Sequence, residues 1–227
     1  MSFFNIFIFS YFPYIAIFIF ILGSIFRYEN NQYSWKSSSS QLLNNKLFFF
    51  SSNCFHFGIL FLMCGHFFGL LTPHFIYSKF ITADHKQLLA MVSGGIAGIV
   101  CFFGLTLLIY RRMSDDRVST NSNFSDMYVL FLLYIQLLLG LFSIFISYSH
   151  IDNPSTMIAL ANWVQGIFTF SPNLHLYVIS EHFIFKAHLF FGMLILVIFP
   201  FTRLVHIFSF PYLYFLRTGY QIVRILR

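Results

Sequence analysis

Four histidines stand inside long apolar runs of this sequence: His56 and His66 in one run, His188 and His206 in another. The other five, His74, His85, His150, His175 and His182, fall between the runs or at their edges. A polar side chain inside a bilayer is costly and is usually retained for function. One intramembrane histidine is explained by a helix–helix hydrogen bond; two on each of two runs ask for more. Neutral imidazole is a strong ligand for iron. Two imidazoles facing each other across a gap can hold a flat b-type haem from both sides. His188 and His206 are 18 residues apart, five helical turns, and so share one face in an unbroken helix. His56 and His66 are 10 apart, about 80° short of three turns, and point to adjacent faces. The three cysteines, Cys54, Cys64 and Cys101, form no CxxC or CxxCH. Disulfides, a zinc site and an iron–sulfur cluster are therefore not expected, and any haem is held without thioether bonds.

The elements that must carry these histidines are membrane spans. The chain has 227 residues, 58% hydrophobic and only 9% charged, with a mean hydropathy of +0.77. A soluble domain carries about 25% charged residues. This composition excludes an ordinary soluble enzyme and a disordered chain. The net charge of +6 does not indicate a nucleic-acid partner, because the basic residues are scattered between apolar runs. The 35 Phe read as the imprint of an AT-rich genome rather than of chemistry.

A bilayer core takes about 20 apolar residues in a helix. Runs at 3–26, 47–73, 88–110, 127–148 and 183–208 qualify. The first lacks a basic n-region and an A-x-A cleavage site, so it reads as a retained helix rather than a signal peptide. The stretch 156–170 is too short to span and suits a helix lying on the membrane surface. The expected fold is an all-α integral membrane protein, one membrane domain over 1–227 with five transmembrane helices.

Of the 13 Lys and Arg, ten fall on one side, including Lys36 and the tail residues Arg217, Arg224 and Arg227; Lys79, Lys86 and Lys186 fall on the other. This asymmetry puts the N-terminus outside and the C-terminus in the cytoplasm. The second and fifth spans then run in opposite directions. His56 and His206 meet near the cytoplasmic side, and His66 and His188 near the outer side. The separations differ, about 15 Å on the second span and about 27 Å on the fifth, with Pro200 available to kink the latter. Gly58, Gly65, Gly69 and Gly192 line up near the histidines. They leave room for a macrocycle or allow close helix packing, which uses the same residues.

Several stretches resemble the gamma subunit of respiratory nitrate reductase, the membrane cytochrome b of that complex. They are YFPYIAIFIFILGSIFRYENNQYSWKSSSSQLL (11–43), SSNCFHFGILFLMCGHFFGLLTPHF (51–75), HKQLLAMVSGGIAG (85–98) and KAHLFFGMLILVIFPFTRLVHIFS (186–209). The resemblance implies two haems b, with His56 and His206 as axial ligands of the cytoplasmic-side haem and His66 and His188 of the outer-side haem. It implies quinol oxidation at the outer face, with Lys86, Gly65 and His66 lining the pocket; without the resemblance Lys86 reads as a snorkelling interfacial lysine.

Arg203 and Arg112 are candidates for haem propionates or positive-inside anchors, and Glu181 and His182 for passing protons. The implied partners are an iron–sulfur beta subunit and a molybdenum-containing alpha subunit on the cytoplasmic face of a bacterial-type inner membrane. Nitrate would be reduced by a partner, since this chain offers no catalytic residue for that step. The rival readings are a cytochrome b subunit of another oxidoreductase, of formate dehydrogenase or sulfur-metabolism type, and a haem-free anchor or small transporter.

Overall fold

The structure is a computed structural model that describes residues 3–35, 46–149, 151 and 153–209. His150, Lys36 and the basic tail residues Arg217, Arg224 and Arg227 lie outside the described residues. Among the described residues five helices are long and apolar enough to cross a membrane: Phe3–Asn30 (α1), Lys46–Leu71 (α2), Ala83–Ser114 (α3), Phe124–Tyr148 (α4) and a last one, Phe183–Phe201. The helix Ser155–Phe168 (α5) precedes this last span, whose α-helical part is Phe183–Ile198 (α6). The all-α class and the number of membrane-crossing helices are those expected.

Local sequence sets the helix ends. The Thr82 side chain caps α3 by accepting from the backbone N of His85. Asn123 and Asp126 form a reciprocal capping box at the start of α4. At the start of α6, His182 Nδ1 accepts from Ile184 N at 3.2 Å. Because α3 begins at Ala83, Lys86 sits in its first turn and not in the loop before it.

The last span departs from expectation. It does not run as one helix over 183–208. After Ile198 the chain takes a 3₁₀ turn over Phe199–Phe201, bends at Thr202 and resumes as 3₁₀ over Arg203–Ser209. Pro200 supplies the reason: it has no N–H to continue the ladder, and its ring disfavours a helical residue before it. The segment folds back, since the rings of Phe199 and Phe208 lie 5.2 Å apart. Nine residues of continuous helix would separate them by about 13 Å. His188 and His206 therefore do not share a helix face. His206 lies beyond the α-helical part of the last span, so its separation from His188 is not the rise of about 27 Å that an unbroken helix would give.

Lipid gives helices no hydrophobic reason to associate, so small residues govern close approach. The tightest pairing is α2 with α3. A Cβ on Gly58 would stand 2.6 Å from Cys101 Cβ, and one on Gly104 would run into the backbone of Phe55 and Ser51. Gly58 thus serves packing and makes no room for a macrocycle. From there α3 lies along α4, α4 along α6 and α6 along α1.

The expected surface helix forms at Ser155–Phe168, but it packs into the bundle. Trp163, 3% exposed, sits in a core with Ile8, Phe9, Ile167 and Leu174. Its Nε1 donates to Phe9 O at 2.9 Å, within a π-helical turn of α1 over Phe7–Tyr11. Gln165 Nε2 donates to Leu70 O at the end of α2, at 2.8 Å. The helix joins the start of α1 to the end of α2.

Candidate haem-binding site

His66 on α2 and His188 on α6 face each other, their ring centroids 6.0 Å apart and their planes at 37°. Imidazole nitrogens each about 2 Å from one metal put two ring centres about 6 Å apart. Among the described residues this is the only pair of histidine rings in contact.

His56, His66, His188 and His206 all present the same nitrogen to the backbone. Nδ1 donates to Ser52 O in His56 (2.7 Å), to Leu62 O in His66 (2.7 Å), to Gln136 O in His188 (3.2 Å) and to Arg203 O in His206. A carbonyl can only accept, so each Nδ1 is the donor, which turns Nε2 away from the backbone; the Nε2 of His188 lies 3.5 Å from Gln136 Nε2. Metal-ligating histidines are oriented by such a bond from the other ring nitrogen.

The surroundings fit a bulky group at His66. Of the five spans α2 is the least covered, with 6% of its apolar stretch buried against 33% in α3. His56 and His66 are both exposed on it. Gly65 and Gly69 have nothing within 4 Å of where a Cβ would stand, so neither is a packing glycine. On the other wall a Cβ at Gly140 would approach His188 Cε1 to 3.1 Å, and one at Gly192 would approach Gln136 Nε2 to 3.4 Å. These residues fit a bis-histidine haem at the His66–His188 pair.

The structure does not bring His56 and His206 together in the same way. The His56 ring lies 5.2 Å from that of Phe55, and His206 follows the break at Pro200.

Lys86 Nζ stands 3.6 Å over the ring of Tyr77. It is buried, with no hydrogen-bond partner among the described residues. A cation held this way keeps its N–H donors unspent. Tyr77 is itself buried, which raises its phenol above the usual tyrosine range. The described contacts of Lys86 are with Tyr77, not with Gly65 or His66.

Arg203 Nε pairs with Asp126 Oδ1 at 2.6 Å, and Arg112 Nη1 stands 3.9 Å from Asp126 Oδ2. Glu181 and His182 show no relay: His182 spends its Nδ1 lone pair on the cap of α6.

A profile of the family described as nitrate reductase gamma subunit matches residues 5–226. The chain belongs to the nitrate reductase gamma subunit family. The respiratory nitrate reductase 1 gamma chain of Escherichia coli (strain K12) is 43% identical over 224 residues, 99% of each chain. The respiratory nitrate reductase 2 gamma chain of the same organism is 44% identical over 220 residues, 97% of this chain and 96% of the relative. The nitrate reductase gamma chain of Bacillus subtilis (strain 168) is 35% identical over 209 residues, 91% and 92% of the two chains. As a nitrate reductase gamma subunit the chain is one component of an oxidoreductase complex, and other subunits are implied.

Four residues at this gamma-subunit site escaped the sequence reading: Gln136, Gly140, Asp126 and Tyr77. Gln136 is the lone amide in the 127–148 run, a signal of the same kind as the histidines. Gly140 is four residues further along that helix, on the same face. Asp126 and Tyr77 lie at span ends, where polar and aromatic residues are ordinary and their contacts follow only from the fold.

Proposed function

We propose that this chain is the di-haem b, quinol-oxidising membrane subunit of a respiratory nitrate reductase. The observation that carries the reading is the His66–His188 pair, with all four histidines holding a backbone carbonyl through Nδ1. His66 and His188 would hold the outer-side haem and His56 and His206 the cytoplasmic-side one. Such haems supply one-electron carriers at two depths between the quinol and an iron–sulfur beta subunit. That subunit would pass electrons to a molybdenum-containing alpha subunit that reduces nitrate.

The chain's own residues do the binding and orienting. The carbonyls of Ser52, Leu62, Gln136 and Arg203 fix the imidazoles. Lys86 would donate to an oxygen of the quinone head, with His66 and Gly65 alongside. Oxidising one quinol gives two electrons to the chain and two protons to the outer side. Arg203 and Arg112, both paired with the carboxylate of Asp126, are the residues that would meet a haem propionate.

The basic asymmetry orients the N-terminus outward and the C-terminus toward the cytoplasm of a bacterial-type inner membrane. A reporter active only outside should then work after Ser78 and be silent after Ser119.

Anaerobic addition of a quinol to the purified chain tests the reading. A b-type reduced spectrum is expected, matching that produced by dithionite. Reduction by dithionite but not by quinol would remove the quinol role, and a colourless protein would favour the haem-free anchor. A formate- or sulfur-linked complex predicts co-purification with a partner that does not reduce nitrate.

A further inference from the structure

Arg27, near the end of α1, makes four hydrogen bonds. Its Nη1 donates to Pro200 O and to Thr202 O, both at 2.7 Å. Its Nη2 donates to Ser34 O at 3.0 Å and its Nε to Ser34 Oγ at 3.1 Å. The first two acceptors are carbonyls on either side of the bend, beyond the α-helical part of the last span. In the interior of a membrane protein such groups must be satisfied by protein. Pro200 and Thr202 are buried, so water is a poor substitute.

The approach is prepared one turn earlier on the same face of α1. A Cβ at Gly23 would stand 2.7 Å from Pro200 Cγ, so glycine is what lets α1 come this close. Gly23 seats the proline and Arg27 clamps the carbonyls on either side of the bend. A guanidinium suits this position, because its planar fork offers donors in several directions at once, whereas an ammonium is a compact point. Its charge also lies at the C-terminal end of α6, where the helix dipole favours a cation.

The clamp also governs the chain beyond the bend. Leu204 and Val205 are buried against Phe199. His206, next in the chain, bonds to the carbonyl of Arg203. The direction in which His206 leaves the bend is set by how Pro200 and Thr202 are held. We infer that Arg27 is a positioning residue for His206, holding the broken end of the last span so that the cytoplasmic-side haem can be ligated. This rests on the reading that His206 is a haem ligand.

The test uses the full chain in its complex, with wild type, His206→Ala, Arg27→Gln and Arg27→Lys prepared together. Haem per protein, the low-spin electron-paramagnetic signal and the midpoint potential are read for each haem. In Arg27→Gln the cytoplasmic-side haem should be retained about 10-fold less tightly, as for loss of a residue supporting a metal ligand. Any of it that remains should show a shifted low-spin signal and potential, with the outer-side haem unchanged. Arg27→Lys should fall between Arg27→Gln and wild type, and it decides the matter if Arg27→Gln does not accumulate.

Unchanged signals for both haems would overturn the inference and leave Arg27 a charged anchor. Equal loss of both haems would also overturn it, marking a general structural role. Failure of the underlying reading looks different: His206→Ala would then keep the full wild-type haem complement.

Discussion

Arg203 and Asp126 form a 2.6 Å ion pair that ties the broken end of the last span to the first turn of α4. The carboxylate is 2% exposed, and the same side chain completes the capping box with Asn123. It therefore answers two guanidiniums and a backbone N–H from one buried position. Removing its charge takes away the carboxylate that Arg203 and Arg112 share.

Asp126→Asn should destabilise the folded chain by about 1–3 kcal/mol, the range for a buried polar group that loses its charged partner. The guanidiniums are partly exposed, which keeps the cost below that of a fully buried pair. Thermal denaturation in detergent, followed by helical signal, measures it. An unchanged midpoint would mean that the pair contributes nothing to stability.

Gly104→Ala should be more damaging than its size suggests. The added methyl would meet the backbone of Phe55, Ser51 and Cys54, which cannot rotate away. Overpacking of this kind costs about 1–3 kcal/mol. The displaced residues immediately precede His56, so haem content should fall along with thermal stability. Gly94→Ala is the control: nothing lies within 4 Å of its Cβ position, and alanine in a helix interior is favoured over glycine by about 1 kcal/mol. Equal behaviour of the two variants would refute the close α2–α3 contact.

Lys86→Ala should impair quinol use and spare the haems. A hydrogen bond to a charged group contributes about 1.5–3 kcal/mol, which corresponds to roughly 10- to 150-fold weaker quinol use. Nitrate reduction driven by a dye that feeds the cytoplasmic subunits directly should persist. Tyr77→Phe keeps the aromatic face under the ammonium and should behave as wild type, whereas Tyr77→Ala should resemble Lys86→Ala. Normal quinol activity in Lys86→Ala would return the residue to a snorkelling anchor.

The sequence carried the span count because each span is a long apolar run, a signal that needs no tertiary information. It carried the four histidines for the same reason: a polar ring stands out in a lipid-facing stretch. The fate of the last span was not legible. Pro200 was visible, but proline kinks some helices and ends others. The outcome here depends on Gly23 and Arg27 of α1 receiving the proline and the carbonyls on either side of the bend. Glycine roles were equally ambiguous. Gly58 and Gly65 look alike in the chain, yet only Gly58 meets a neighbouring helix. The packing of α5 was hidden because Trp163 and Gln165 find partners in α1 and α2, far away in sequence.

The central claim, that four histidines hold two haems, is tested most directly by a redox titration of the purified complex in wild type and four single variants. Haem content and low-spin signals are recorded at each potential. Wild type should titrate as two b-type haems. His66→Ala and His188→Ala should each abolish the same one, and His56→Ala and His206→Ala the other. A variant that keeps both haems with unchanged spectra, or a crossed pattern in which His66→Ala and His206→Ala remove the same haem, would contradict the account.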